Sequence, residues 1–255
     1  MASSRRAWLQ GVSLLAGGWL ANRLMPAAAA VAAPPAAPAG SGRRPLAERL
    51  QVCRPPGDPL AELLRRNRAF AAVWQQAERC GDPQERARLL QQAWPLGCQV
   101  RPDALAEGQK PWAAVLACAD SRVAPEWIFA SGSGELFEVR AAGNTAFAAG
   151  IASLEYAVAE LAVPLILVLG HSGCGAVAAA LADRPLTPLL EELVAPIRAA
   201  VPPGTSPQRA VRANALATAA ALPRRSALLQ AAVEEGRLRI AAAVFDIASG
   251  RVVAL

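Results

Sequence analysis

Histidine is nearly absent from this chain: 255 residues hold one, His171. Tyrosine is as scarce, with Tyr156 alone. None of the five cysteines forms a Cys-x-x-Cys pair, which excludes a thioredoxin-like redox motif. Charged residues make up only 18% against 54% hydrophobic, a balance that excludes wholesale disorder and suits one domain with a sizeable core. Past residue 33 no apolar run is long enough to span a membrane; the run 163–170 is short and bounded by Pro164 and a Gly-rich turn. No internal repeat is present. The net charge of +6 is half accounted for by Arg5, Arg6 and Arg23 in a stretch without acids. The remaining arginines are scattered among glutamates (Glu62, Arg65 and Arg66; Glu85, Arg86 and Arg88), as on a solvated helix surface, so no nucleic-acid partner is expected.

Residues 1–33 read as an export signal. A charged head with Arg5-Arg6 precedes an apolar, glycine-containing run, and small residues follow with cleavage options such as Ala30-Val31-Ala32. The arginine pair resembles a twin-arginine signal, a route for proteins that are already folded. Asn22 and Arg23 interrupt the run, which falls short of the ~20 apolar residues of a membrane span. The expectation is export with cleavage to the periplasm or an equivalent compartment, leaving no stable membrane span; an uncut anchor is the other reading. A linker rich in Ala, Pro and Gly follows, taken as 34–58, and the single domain as 59–255.

Apolar residues recur at three and four over 59–80, the spacing of a helix. Asp82-Pro83 reads as an N-cap with proline at the first helical position, opening a second helix to about Ala93. The period then changes. Strands are expected over 112–118, 135–140 and 164–170, with a helix over 147–161 and another from Cys174. A Pro-rich connection over 185–207 leads to helices between 207 and 235. Two closing strands, 237–246 and 251–255, flank a Ser249-Gly250 turn. This alternation predicts an α/β fold, with a mainly parallel β-sheet flanked by helices.

Two motifs fall at carboxyl ends of expected strands, where sites form in open α/β sheets. They are Cys118-Ala-Asp120-Ser121-Arg122 and His171-Ser-Gly-Cys174-Gly175. Two thiols and an imidazole are ligands that zinc prefers, and three protein ligands with one open position is the catalytic pattern. Taken alone, a buried cysteine is usually a small hydrophobe and a lone His-x-x-Cys is weak evidence.

The two motifs together resemble the zinc motifs of β-class carbonic anhydrases. Lys110-Pro-Trp-Ala-Ala-Val-Leu-Ala, Gly134-Glu-Leu-Phe-Glu-Val-Arg140, Ala142-Gly-Asn144 and Ser153-Leu-Glu-Tyr-Ala157 extend the likeness, which covers about 60–255. The resemblance implies one Zn2+ per chain on Cys118, His171 and Cys174. It also implies an Asp120–Arg122 catalytic dyad and reversible hydration of carbon dioxide to bicarbonate. In one family state Asp120 would pair with Arg122; in the other it would itself be the fourth metal ligand. A homodimer or higher oligomer is implied too, with an N-terminal helical arm over about 59–93 embracing the partner, although the apolar faces of those helices suit their own sheet equally well. Rival readings are a same-scaffold carbon disulfide or carbonyl sulfide hydrolase, and a catalytically silent zinc-binding protein.

Two departures from the family pattern stand out. Ser131 falls where many members carry a glutamine that positions substrate. An inhibitory bicarbonate site of Trp, Arg and Tyr is expected to be absent: Arg140 matches, but Val115 holds the Trp position and Tyr156 lies in another segment. Of Cys53, Cys80 and Cys98, two could form a disulfide, in a pairing that spacing does not give, or all three could be free.

Overall fold

The computed structural model describes residues 44–93 and 98–255; the export signal read over 1–33 and the linker up to residue 43 lie outside them. One sheet of five strands has the order β2-β1-β3-β4-β5. β1 (Ala113–Ala117), β2 (Leu136–Arg140), β3 (Leu165–His171) and β4 (Arg239–Asp246) run parallel, and β5 (Arg251–Ala254) closes antiparallel to β4. Every residue of β1 and β3 is buried, as expected of central parallel strands covered on both faces.

Side chains alternate between those faces. Ala113, Val115 and Ala117 of β1 and Leu165, Leu167 and Leu169 of β3 pack with Leu60, Leu63 and Phe70 of α2 (Pro59–Glu78) and Ile128 of α5 (Pro125–Ile128). Ala114, Leu116, Ile166 and Val168 face a second layer, built by α6 (Ala148–Ala159), α9 (Pro207–Arg225) and α10 (Ala227–Glu234). Asp58 caps α2 by accepting from the Ala61 N–H at 2.7 Å. Buried Asn67 ties the helix to the sheet edge, donating to the Gly250 carbonyl at 3.0 Å and accepting from the Val252 N–H at 2.7 Å. Of the expected arm, α2 is therefore docked on its own sheet. α3 (Pro83–Gln92) follows under the Asp82 cap.

Two expected connections prove to be structured. The linker read over 34–58 carries, within 44–58, α1 (Leu46–Leu50) and Cys53, which is bonded to Cys98 with the Cα atoms 5.2 Å apart. Apolar side chains of α1 and α4 (Pro102–Glu107) form a small cluster around this disulfide. The Pro-rich connection over 185–207 contains a full helix, α8 (Pro188–Ala200). Pro188 occupies its first position, where no N–H is needed, and Thr187 caps it.

Below the amino ends of the strands lies a buried polar knot. Glu135, 2% exposed, accepts from the Trp112 indole at 3.0 Å and the Gly132 N–H at 2.6 Å, and pairs with Arg66 of α2 at 3.0 Å. The Arg66 guanidinium also lies over the Trp112 ring, 5.2 Å from its centre. On β2, burial and then the neighbouring Glu126 carboxylate push Glu138 up to about 8, with Arg140 pulling the other way. Its folded value is raised, so the native state holds this proton through neutrality. The stabilisation is complete below the ordinary glutamate range and is lost as pH rises through about 8. Glu138→Gln should flatten that loss, read as urea midpoints between pH 6 and 9; an unchanged pH dependence would refute the assignment.

Candidate metal centre

β1 ends at Ala117 and β3 at His171, and the two strands are neighbours. The loops leaving their carboxyl ends therefore meet, although their motifs are far apart in sequence. Cys118 comes directly off β1. Cys174 is the N-cap residue of α7 (Gly175–Leu181), directly after the two-residue turn that follows His171. The Cys118 and Cys174 sulfurs and a His171 ring nitrogen lie within 4.8 Å of one another, and all three residues are buried.

This geometry fits a tetrahedral metal. The sulfurs are 4.0 Å apart, close to the roughly 3.8 Å of two sulfurs each about 2.3 Å from a zinc centre. His171 Nδ1 lies 3.1 Å from the Ser172 carbonyl, which can only accept, so Nδ1 carries the proton. The ring is fully buried and its Nε2 has no hydrogen-bond partner. A bare nitrogen lone pair beside two sulfurs is an acceptor set awaiting a cation. The Cys174 thiol, with help from His171 and the N–H groups of Gly143 and Asp120, lowers Cys118 far below an ordinary thiol despite its burial. Cys118 in turn raises Cys174, so the pair loses its first proton readily and its second with difficulty. A bound dication would remove that difficulty.

Asp120 stands beside this cluster, its Oδ2 3.9 Å from His171 Nε2. It is held by Arg122 as a fork: Nε donates to Oδ1 at 2.9 Å and Nη2 to Oδ2 at 2.6 Å, while the Arg122 backbone N–H adds 3.0 Å to Oδ1. The guanidinium keeps the Asp120 carboxyl far below the usual range, so it is ionised at any working pH. Arg122 Nη2 also donates to the Gly173 carbonyl at 3.2 Å, bridging the two motifs.

Arg140, at the end of β2, grips the first motif from beneath. It donates to the carbonyls of Cys118 at 3.1 Å, Asp120 at 2.9 Å and Val123 at 2.6 Å. The arginine that an inhibitory bicarbonate site would need is thus engaged by the loop 118–123. Val115 is sealed in the core, and Tyr156 lies on α6 against Phe137. Ser131 is nowhere near the cluster of its own chain. Its neighbour Glu135 pairs with Trp112 at the opposite end of β1, roughly 20 Å of strand from Cys118. The Ser131 hydroxyl is buried and donates to the Phe129 carbonyl at 3.3 Å.

A sequence profile described as carbonic anhydrase matches residues 113–252. The chain belongs to the β-carbonic anhydrase family. A Pseudomonas aeruginosa carbonic anhydrase is 37% identical over 185 residues, covering 66% of this chain and 83% of that protein. Carbonic anhydrase 2 of Mycobacterium tuberculosis is 60% identical over 78 residues, which are 31% of this chain and only 38% of that protein. Among solved structures, a β-carbonic anhydrase of Sordaria macrospora, described as tetrameric, superposes with a TM-score of 0.54 at 28% identity, covering 60% of this chain and 84% of that one. The β-carbonic anhydrase fold accounts for the mainly parallel sheet and for the meeting of the two motifs at its carboxyl edge.

Sequence reasoning brought together Cys118, Asp120, Arg122, His171 and Cys174, and the structure places all five at one spot. It named Arg140 and Ala142-Gly-Asn144 without their supporting roles, gripping the loop and backing Cys118, and it missed Asn214 on α9 altogether. The one signal for Asn214 was an amide set in an alanine-rich helix, on the face that the helix buries.

Proposed function

We propose that this chain holds one zinc ion on Cys118, His171 and Cys174 and interconverts carbon dioxide and bicarbonate. The observation that carries the reading is the bare, buried His171 Nε2 facing two thiols, with an ionised and Arg-locked Asp120 beside it. When bound, zinc supplies Lewis acidity, lowering the pKa of water from about 15.7 to about 7.

The chain's own residues do the rest. Ionised Asp120 can only accept, so it admits a water that presents an O–H towards it and turns the oxygen lone pair to the carbon of carbon dioxide. Arg122 holds that carboxylate in one orientation and keeps it out of the cluster. The apolar side chains that pack around the cysteines, Val177, Val194, Ile197 and Val211, limit competing water. Asp120 as a fourth ligand remains the alternative resting state of this same site.

Stopped-flow hydration with zinc content on the same sample tests the reading. Fast hydration at about one zinc per chain is the expected result. Zinc without hydration would favour the silent zinc-binding protein, or a carbon disulfide or carbonyl sulfide hydrolase, which those substrates would separate. With His171 at the metal, no imidazole remains to pass protons to bulk. Turnover should therefore climb several-fold between low and high buffer concentration; a flat response would contradict this.

Two further parts of the reading concern setting. A homo-oligomer follows the tetrameric relative, and light scattering tests it. Export follows from Arg5-Arg6 and the small-residue exit, and the Cys53–Cys98 disulfide is in keeping with an oxidising compartment. Cell fractionation decides it: full-length, thiol-reduced chain in the cytoplasm would refute export.

A further inference from the structure

The sulfur of Cys118 is reached from behind by the turn Ala142–Asn144. The Gly143 N–H donates to it at 3.3 Å. Gly143 has φ +76° and no room to spare: a Cβ there would come 2.8 Å from Ile197 Cδ1 and 3.0 Å from Ala176 Cβ. Its carbonyl is held from the other side by the Asn214 side-chain amide, at 2.8 Å. Asn214 is 2% exposed, and its one recorded side-chain bond is this one.

α9 is itself pressed against the strand that delivers the histidine. A Cβ on Gly170, the residue before His171, would lie 3.2 Å from Val211 Cγ1 and 3.4 Å from Ala215 Cβ. One helix thus abuts the histidine strand and, through a single amide, pins the turn behind the first cysteine. A leucine or alanine would fill this face of α9 as well. The amide is needed only by the Gly143 carbonyl, which would otherwise be a buried acceptor without a partner.

We propose that Asn214 is a positioning residue of the metal centre, fixing the Gly143 N–H against the Cys118 sulfur. This rests on the reading that Cys118, His171 and Cys174 hold a metal. An N–H donated to a thiolate withdraws charge from it and fixes its direction, and removing such outer support typically costs 10–100-fold in metal affinity. With Asn214 gone, the turn relaxes away from the sulfur while all three ligands and the Asp120–Arg122 pair remain.

The test is chelator competition for zinc, with spectra of the cobalt(II)-loaded full chain, on wild type, Asn214→Leu and Asn214→Asp. Leucine removes the donor at nearly constant volume, and aspartate removes it when ionised, so the Asp variant is read at alkaline pH. The expected result is about a tenfold or greater loss of zinc affinity and a red shift of the thiolate-to-cobalt charge-transfer band, because the sulfur lone pair rises in energy. A folded variant with wild-type affinity and an unmoved band would overturn the proposal. A measurement that needs no variant is made on cadmium-113-loaded wild type. There the Gly143 amide proton should show scalar coupling to the metal through sulfur, and no coupling would also overturn the proposal. If wild type binds neither zinc nor cobalt, the metal-site reading itself falls, an outcome distinct from a wild type that binds normally alongside insensitive variants.

Discussion

Cys174→Ser should yield a folded chain that holds no zinc at micromolar metal and hydrates carbon dioxide no faster than buffer, a fall of roughly 10³-fold or more. A serine hydroxyl does not ionise near neutral pH and is a poor match for a borderline-soft ion. Two donors, Cys118 and His171, are then left where three converge. The fold should survive, because Cys174 is one member of a local apolar cluster and lies outside the central layers. Cys80→Ser, in the half-exposed junction between α2 and α3, is the matched control and should change neither zinc content nor rate. If Cys174→Ser kept full zinc and full rate, the ligand assignment would be wrong.

Glu135→Ala should be the most damaging change to stability, costing about 3–5 kcal/mol in urea unfolding. The loss is not that of an attraction alone. Truncation leaves the Arg66 guanidinium without its Glu135 partner, and the Trp112 indole and Gly132 N–H without an acceptor. That is a large share of the ~5–15 kcal/mol that holds a typical domain together. The knot lies at the opposite end of the sheet from the metal centre, so the rate per folded, zinc-loaded molecule should stay unchanged. A variant with wild-type stability would show that water replaces the carboxylate without cost.

The sheet and the Cys118, His171 and Cys174 cluster were legible because each is written in local pattern. β1 and β3 are short apolar runs that end at Cys118 and His171, and the cap at Asp82 sits directly before a proline. α8 was hidden by its composition. Pro188 and Pro196 mark a loop by count, whereas one occupies the harmless first position and packing of Val194 and Ile197 tolerates the other. The Cys53–Cys98 pairing was illegible because closing a 45-residue loop depends on where α1 and α4 pack, and no spacing encodes that. Arg140 was seen by its match to a family position, yet its three carbonyl partners come from a loop about twenty residues away. Side chains that serve a backbone at a distance leave little mark in a single sequence.

The parallel pairing of β1 with β3 also sets a length standard. Ala117 faces Leu169, so one donor leaves its strand a single residue past that pair and the other two residues past it. A slip of one position would displace one donor against the other by about 3.3 Å, more than a zinc–sulfur bond of about 2.3 Å. A misaligned chain could not hold the ion, and an ion taken up by the aligned chain deepens that alignment by mass action. A metal held from both strands would therefore favour this alignment over a slipped one.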